Sequence, residues 1–175
     1  MQIVWISVAV MCAAILELVT ASYGLAVPVV AVAVFYLTFV FGWRAVVIQA
    51  LMAGTLPDIF WGRHFPALPL LILPGIMLLA RLWRAEGNPR LLHLQVIPGV
   101  ACGLLQAAIL LPLESFSQET FFWNLLFHNA WIAGQYVIGG ALLTPVVCHF
   151  FDQMSRKLGL PVYLTAPKLE TTHAA

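Results

Sequence analysis

Long apolar runs separated by short polar gaps organise this chain, and the lengths of the runs predict its elements. Residues 3–20 are apolar apart from Ser7, Glu17 and Thr20. At about 1.5 Å per residue such a run approaches the roughly 30 Å hydrocarbon thickness of a bilayer. A second run, 25–41, ends at Gly42, Trp43 and Arg44, where an aromatic beside a cation reads as an interfacial anchor. A third, 44–61, begins straight after and soon meets Pro57 and Asp58. It either spans thinly, continues through Ile59, Phe60 and Trp61, or stops with Asp58 at the far membrane face. The gap Gly62, Arg63, His64 follows.

In the fourth run, 65–83, Pro66, Pro69 and Pro74 predict a kinked or locally broken helix, since each removes a backbone donor. A fifth, 91–113, contains Pro98 and Pro112. The last apolar stretch, Thr120 to Phe151, is longer than one crossing demands. Its span is placed at 125–151, with the first part along the interface or in the preceding loop. Residues 160–175 mix Pro, Thr, Lys and Glu with little periodicity and read as a poorly ordered cytoplasmic tail.

Charge fixes the direction of these crossings. Seven of the eight basic residues, Arg44, Arg81, Arg84, Arg90, Arg156, Lys157 and Lys168, fall in alternate gaps, and only Arg63 breaks the pattern. Six crossings put these seven on one side with both termini, which the positive-inside rule makes cytoplasmic. Arg63, Glu114 and Glu119 then lie opposite. Five crossings would split Arg44 from the Arg81 to Arg90 loop.

The expected fold class is therefore all-α, a polytopic six-helix transmembrane bundle over residues 1–159. Composition agrees: 62% hydrophobic and 9% charged residues, with mean hydropathy +0.97, are too apolar for a water-soluble domain of 175 residues. A net charge of +1 leaves no basic excess for nucleic acid. A cleaved signal peptide is the rival for the first run, but no Lys or Arg precedes it as an n-region requires. Cys12, Cys102 and Cys148 stand apart in apolar stretches, which argues against a disulfide framework and a zinc site and for small core residues.

Few side chains suggest chemistry. Asp58, an ionisable group at the end of an apolar segment, needs a partner such as Arg63 or His64, or backbone N–H groups at the following turn. The second role makes it an organiser of the turn between third and fourth helices. Glu17 reads as a boundary residue reaching headgroups. His93, His128 and His149 lack the i, i+4 spacing of a metal pair. Ser7, Ser22, Ser115, Ser117 and Ser155 lack a G-x-S-x-G setting, and Glu114 with Glu119 reads as a solvated acidic loop. No catalytic residue, cofactor or metal is expected.

Small residues four apart carry a different signal. Gly99 and Gly103 form G-x-x-x-G, and Ala9 with Ala13, Ala50 with Gly54 and Ala130 with Gly134 repeat the spacing. Such pairs let helix backbones approach closely, within this bundle or against a partner protein. Gln49, Gln106 and Gln135 are polar groups inside three separate spans, expected to seek partners within the bundle or to line a pocket.

The string FYLTFVFGWRAVVIQALMAGTLPDIFWGRHF from Phe35, with the later ARLWRAEGN, resembles the bacterial rod shape-determining protein MreD family. Gly54, Asp58 and Gly62 occupy the places of its G-x-x-x-D segment and Gly-containing turn. The ending YVIGGALLTPVVCHFFDQMSRKLG, with Pro145 near the middle of the last span, is similar too. Pro57 directly before Asp58 and the proline-rich fourth span depart from the pattern. The resemblance implies a non-enzymatic scaffold of the cell-elongation machinery in the bacterial inner membrane, binding an MreC-like protein and supporting peptidoglycan synthesis. It also implies a fold similar to the six-helix substrate-binding component of energy-coupling-factor vitamin transporters. That is the rival function, with Gln106, Gln135, Asn124 and Asn129 as candidate pocket groups. The expected working residues of the scaffold are Gly99 and Gly103 at a close-packing face, Asp58 at its turn, and Arg44, Arg81, Arg84, Arg90, Arg156 and Lys157 as cytoplasmic anchors.

Overall fold

Glycine and proline set where the helices stop. In the computed structural model, which describes residues 1–60, 68–86, 92–115 and 122–163, α1 spans Gln2–Ser22 and closes on Gly24 at φ +76°. Gly24 N–H donates to the Ala21 carbonyl and Leu25 N–H to that of Thr20, satisfying carbonyls that a helix end leaves open. The left-handed φ is what calls for glycine there. Pro28, unable to donate, precedes α2 (Val29–Phe41), which therefore starts later than the apolar run. Gly42, at φ +84°, is the single residue between α2 and α3 (Trp43–Phe60).

The proline-rich fourth run begins as a turn of π-helix, Leu68–Ile72, before α4 (Leu73–Glu86). Pro69 lies inside the irregular turn and Pro74 just after it, the local break that their missing donors predict. α5 covers Leu92–Ser115 and α6 covers Phe122–Lys157. α6 is one helix of 36 residues, so residues 122–124, part of the stretch expected in a loop or along the interface, are helical, while Thr120 and Phe121 lie outside the described residues. Gly159 closes α6 as Gly24 closes α1, with Leu160 N–H on the Ser155 carbonyl.

Among the described residues the protein is all-helical, and four helices are long and apolar enough to cross a membrane: Gln2–Ser22, Leu68–Ala85, Gln95–Pro112 and His128–Lys157. Among the described residues six α-helices are present, matching the expected number of helices, and α2 and α3 fall outside those four. α2 is apolar yet has only 13 residues, about 20 Å at the helical rise. α3 is diluted by Arg44, Gln49, Thr55 and Asp58.

α2 is the centre of the bundle. Every residue from Val29 to Val40 is buried, and α1, α3, α4, α5 and α6 all pack against it. The other helices alternate in direction around it, so Arg44, Arg81, Arg84, Arg156 and Lys157 gather at one end with Met1. Trp5, Tyr36, Phe39, Trp83 and Phe151 fill the core just inside this basic end.

The segment after α6 corrects the expected loose tail from residue 160. Tyr163 is fully buried, its ring 4.4 Å from that of Phe39 and 6.0 Å from that of Tyr36. Its backbone N–H donates to Asp152 Oδ1 at 2.7 Å, and Trp83 Nε1–H donates to its hydroxyl at 3.2 Å. Residues 164–175 lie outside the described residues.

Candidate functional site

Three buried carboxylates mark the places where the chain changes direction. Glu17, read from sequence as a headgroup-facing boundary residue, is only 8% exposed. Its Oε2 accepts the Val30 N–H at 2.7 Å, so a side chain of α1 caps the first turn of α2. A carboxylate suits this place because the first N–H groups of a helix are unsatisfied and its N-terminus is electropositive. Gln106 of α5 donates its amide to Glu17 Oε1 at 3.2 Å, tying a third helix to the same group.

Asp58 is 2% exposed, and its Oδ2 accepts the Leu68 N–H at 2.9 Å. The carboxylate thus joins the end of α3 to the start of the π turn, across the segment that sequence made it organise. Gly54, one turn earlier, lies against the same turn: a Cβ there would stand 2.7 Å from Leu73 Cδ1. Asp152, which no spacing singled out, accepts the Tyr36 hydroxyl at 2.6 Å as well as the Tyr163 N–H.

The glycine pair of α5 forms the closest helix contact. A Cβ at Gly99 would overlap the Gly140 carbonyl and the Thr144 hydroxyl, and one at Gly103 would overlap the Tyr136 carbonyl. α5 and α6 therefore run antiparallel with backbone against backbone. Thr144 hydroxyl donates to the Gly140 carbonyl at 2.8 Å. Of the two alternatives for Ala130 and Gly134, packing inside this bundle is not what they do: Ala130 is exposed and nothing lies within 4 Å of a Cβ built on Gly134. Ala9, Ala13 and Ala50 are buried.

At the end away from the basic residues, a pocket of about 350 Å³ opens between the α1–α2 connection, Pro57 and the first half of α6. Glu17, Gln135 and His128 supply its polar side chains with Tyr136, and Trp131, Ile132 and Val27 its apolar ones. Gln135 is held by accepting the Ala26 N–H at 2.8 Å through Oε1. Of the glutamines expected to line a pocket, Gln135 does so, Gln106 stands behind Glu17, and Gln49 lies elsewhere with its Oε1 buried and unbonded among the described residues.

His149 shares a hydrogen bond with Gln153 at 2.9 Å, far along α6 from His128. Arg44, Arg81, Arg156 and Lys157 are exposed, while Arg84 is half-buried. Gly62, Arg63, His64, Arg90 and Glu119 lie outside the described residues, as do the side chains of His93, Glu114 and Asn124. No family model, curated protein or solved structure matches the chain.

Proposed function

We propose that this chain is a non-enzymatic scaffold of the MreD type, seated in a bacterial inner membrane with both termini cytoplasmic. It acts by holding an MreC-like partner and through it supports peptidoglycan synthesis during cell elongation. The observation that carries this reading is the use made of the buried carboxylates. Glu17, Asp58 and Asp152 each accept a backbone N–H from another segment, so their charges serve architecture. Clustered basic side chains at one end support the orientation.

The outer face of α6 is where we place the partner. Ala130 and Gly134 present a shallow, open surface flanked by exposed Trp131 and Ile138, into which a transmembrane helix of the partner fits closely. Gly134→Leu fills that surface and leaves the bundle's own contacts intact. Co-purification of an MreC-like protein is expected to fall at least tenfold while thermal stability does not fall. Full retention of the partner by this variant refutes the placement.

The pocket favours a second reading, a small-solute-capturing component of an energy-coupling-factor transporter. A small molecule retained through detergent purification, with no partner captured, selects it over the scaffold.

A further inference from the structure

The pocket beside Glu17 has a chemical bias that partner binding does not explain. Its volume, about 350 Å³, falls in the range of small-molecule sites, roughly 300–1,000 Å³. Its walls combine a carboxylate with two aromatic side chains, Trp131 and Tyr136, and the aliphatic Val27, Ile132 and Pro57. Glu17 is the one carboxylate among its described lining residues.

An amide oxygen also stands behind the carboxylate. Gln106 is fully buried and directs its amide N–H to Glu17, which leaves its Oε1 without a hydrogen-bond partner among the described residues. Gln135 Oε1 already accepts from Ala26. A carboxylate in such surroundings repels an anion, and its attraction for a cation is stronger than in water. The faces of Trp and Tyr favour the same sign of charge.

We propose that this pocket binds the ammonium group of a small amphipathic molecule. The cation lies at Glu17, and the apolar body rests against Trp131, Ile132 and Val27. The inference does not require the scaffold reading, although Trp131 borders both the pocket and the α6 face placed against the partner. Its source is either a soluble amine or the headgroup of phosphatidylethanolamine at the membrane surface, since both carry the same group.

The test uses the full chain in nanodiscs of phosphatidylglycerol, with phenethylammonium as probe and 2-phenylethanol as its neutral counterpart, read by tryptophan fluorescence. The ammonium is expected to give a saturable change that Trp131→Phe removes, at an affinity at least tenfold above that of the alcohol. Glu17→Gln should bring that ratio close to one. Because Glu17 also caps α2, Trp131→Ala serves as a second variant: its ring is 69% exposed. Measured by isothermal titration calorimetry, it should weaken phenethylammonium about tenfold with unfolding unchanged.

Equal affinity for the two probes, absence of saturable binding, or a preference that survives Glu17→Gln overturns the proposal. With the ammonium preference in hand, phosphatidylethanolamine added to the nanodiscs separates the sources. Competition with the probe assigns the lipid headgroup, and unaltered binding assigns a soluble amine. Retained co-purification of a partner alongside failed amine binding removes this inference alone.

Discussion

Replacing Gly99 or Gly103 with alanine probes how far the bundle depends on the backbone approach of α5 to α6. A Cβ at Gly103 would stand 2.7 Å from the Tyr136 carbonyl carbon and 2.9 Å from Val137 Cα, where ordinary contact begins at 3.4 Å. The obstacle is main chain, so no change of rotamer relieves it. The helices must part by roughly an ångström, and a gap of that size forfeits a quarter to a half of each dispersion contact along the seam.

Overpacking alone typically costs about 1–3 kcal/mol. Because several turns of the seam open together, the expected loss for each substitution is about 3 kcal/mol. The double variant should lose less than the sum, since one separation of the helices accommodates both methyl groups. Gly134→Ala is the internal control: with open space around it, removal of a mid-helix glycine should stabilise by about 0.5–1 kcal/mol. Reversible unfolding in mixed micelles by titration with dodecyl sulfate, followed by helical circular dichroism, measures all four. Native-like stability of Gly99→Ala and Gly103→Ala, or equal damage from Gly134→Ala, refutes the seam.

Asp58→Ala leaves the buried Leu68 N–H without its acceptor and should destabilise by about 1–3 kcal/mol in the same assay. Asp58→Asn should fall between it and the native chain. In sealed vesicles, with Cys12 replaced by Ala, single cysteines at Arg44 and Arg84 should react with an impermeant maleimide from one side. A cysteine at exposed Tyr23 should react from the other, and common accessibility of Tyr23 and Arg84 would contradict the alternation of helices.

Burial pushes the Tyr163 phenol up. The native hydroxyl keeps its proton at pH values where the unfolded chain, near its ordinary value of about 10, has released it. Stability should therefore hold below about pH 10 and decline above it. Tyr163→Phe should flatten that decline, as unfolding measured from pH 8 to about 11 will show.

Local rules made part of this molecule legible. The G-x-x-x-G of Gly99 and Gly103 is visible because its spacing lies within one helix, and the π turn follows from prolines whose lost donors are a property of the residue. Opposing partners were not visible. The antiparallel register of α5 and α6 sets Gly140 and Tyr136 against the α5 glycines. Gly134 lies about 240° around the helix from Gly140 at roughly 100° per residue.

Glu17 looked like a boundary residue because hydropathy cannot tell a carboxylate that meets headgroups from one that caps a neighbouring helix. Asp152 and Tyr163 escaped for a similar reason. Asp152 meets a tyrosine 116 positions away, and Tyr163 follows a glycine turn that returns an apparently featureless tail to the core.

The enclosure of α2 by five other helices sets apart what evolution can write there. A helix that faces lipid accepts almost any apolar side chain, since acyl tails mould themselves to whatever surface they meet. Val29 to Val40 meet only other side chains, at the density of a solid. Exchanges among valine, leucine and phenylalanine that pass unnoticed on the outside of α6 should be felt here at the scale of one methylene. At 13 residues and enclosed on every side, this segment owes its place to the helices packed around it.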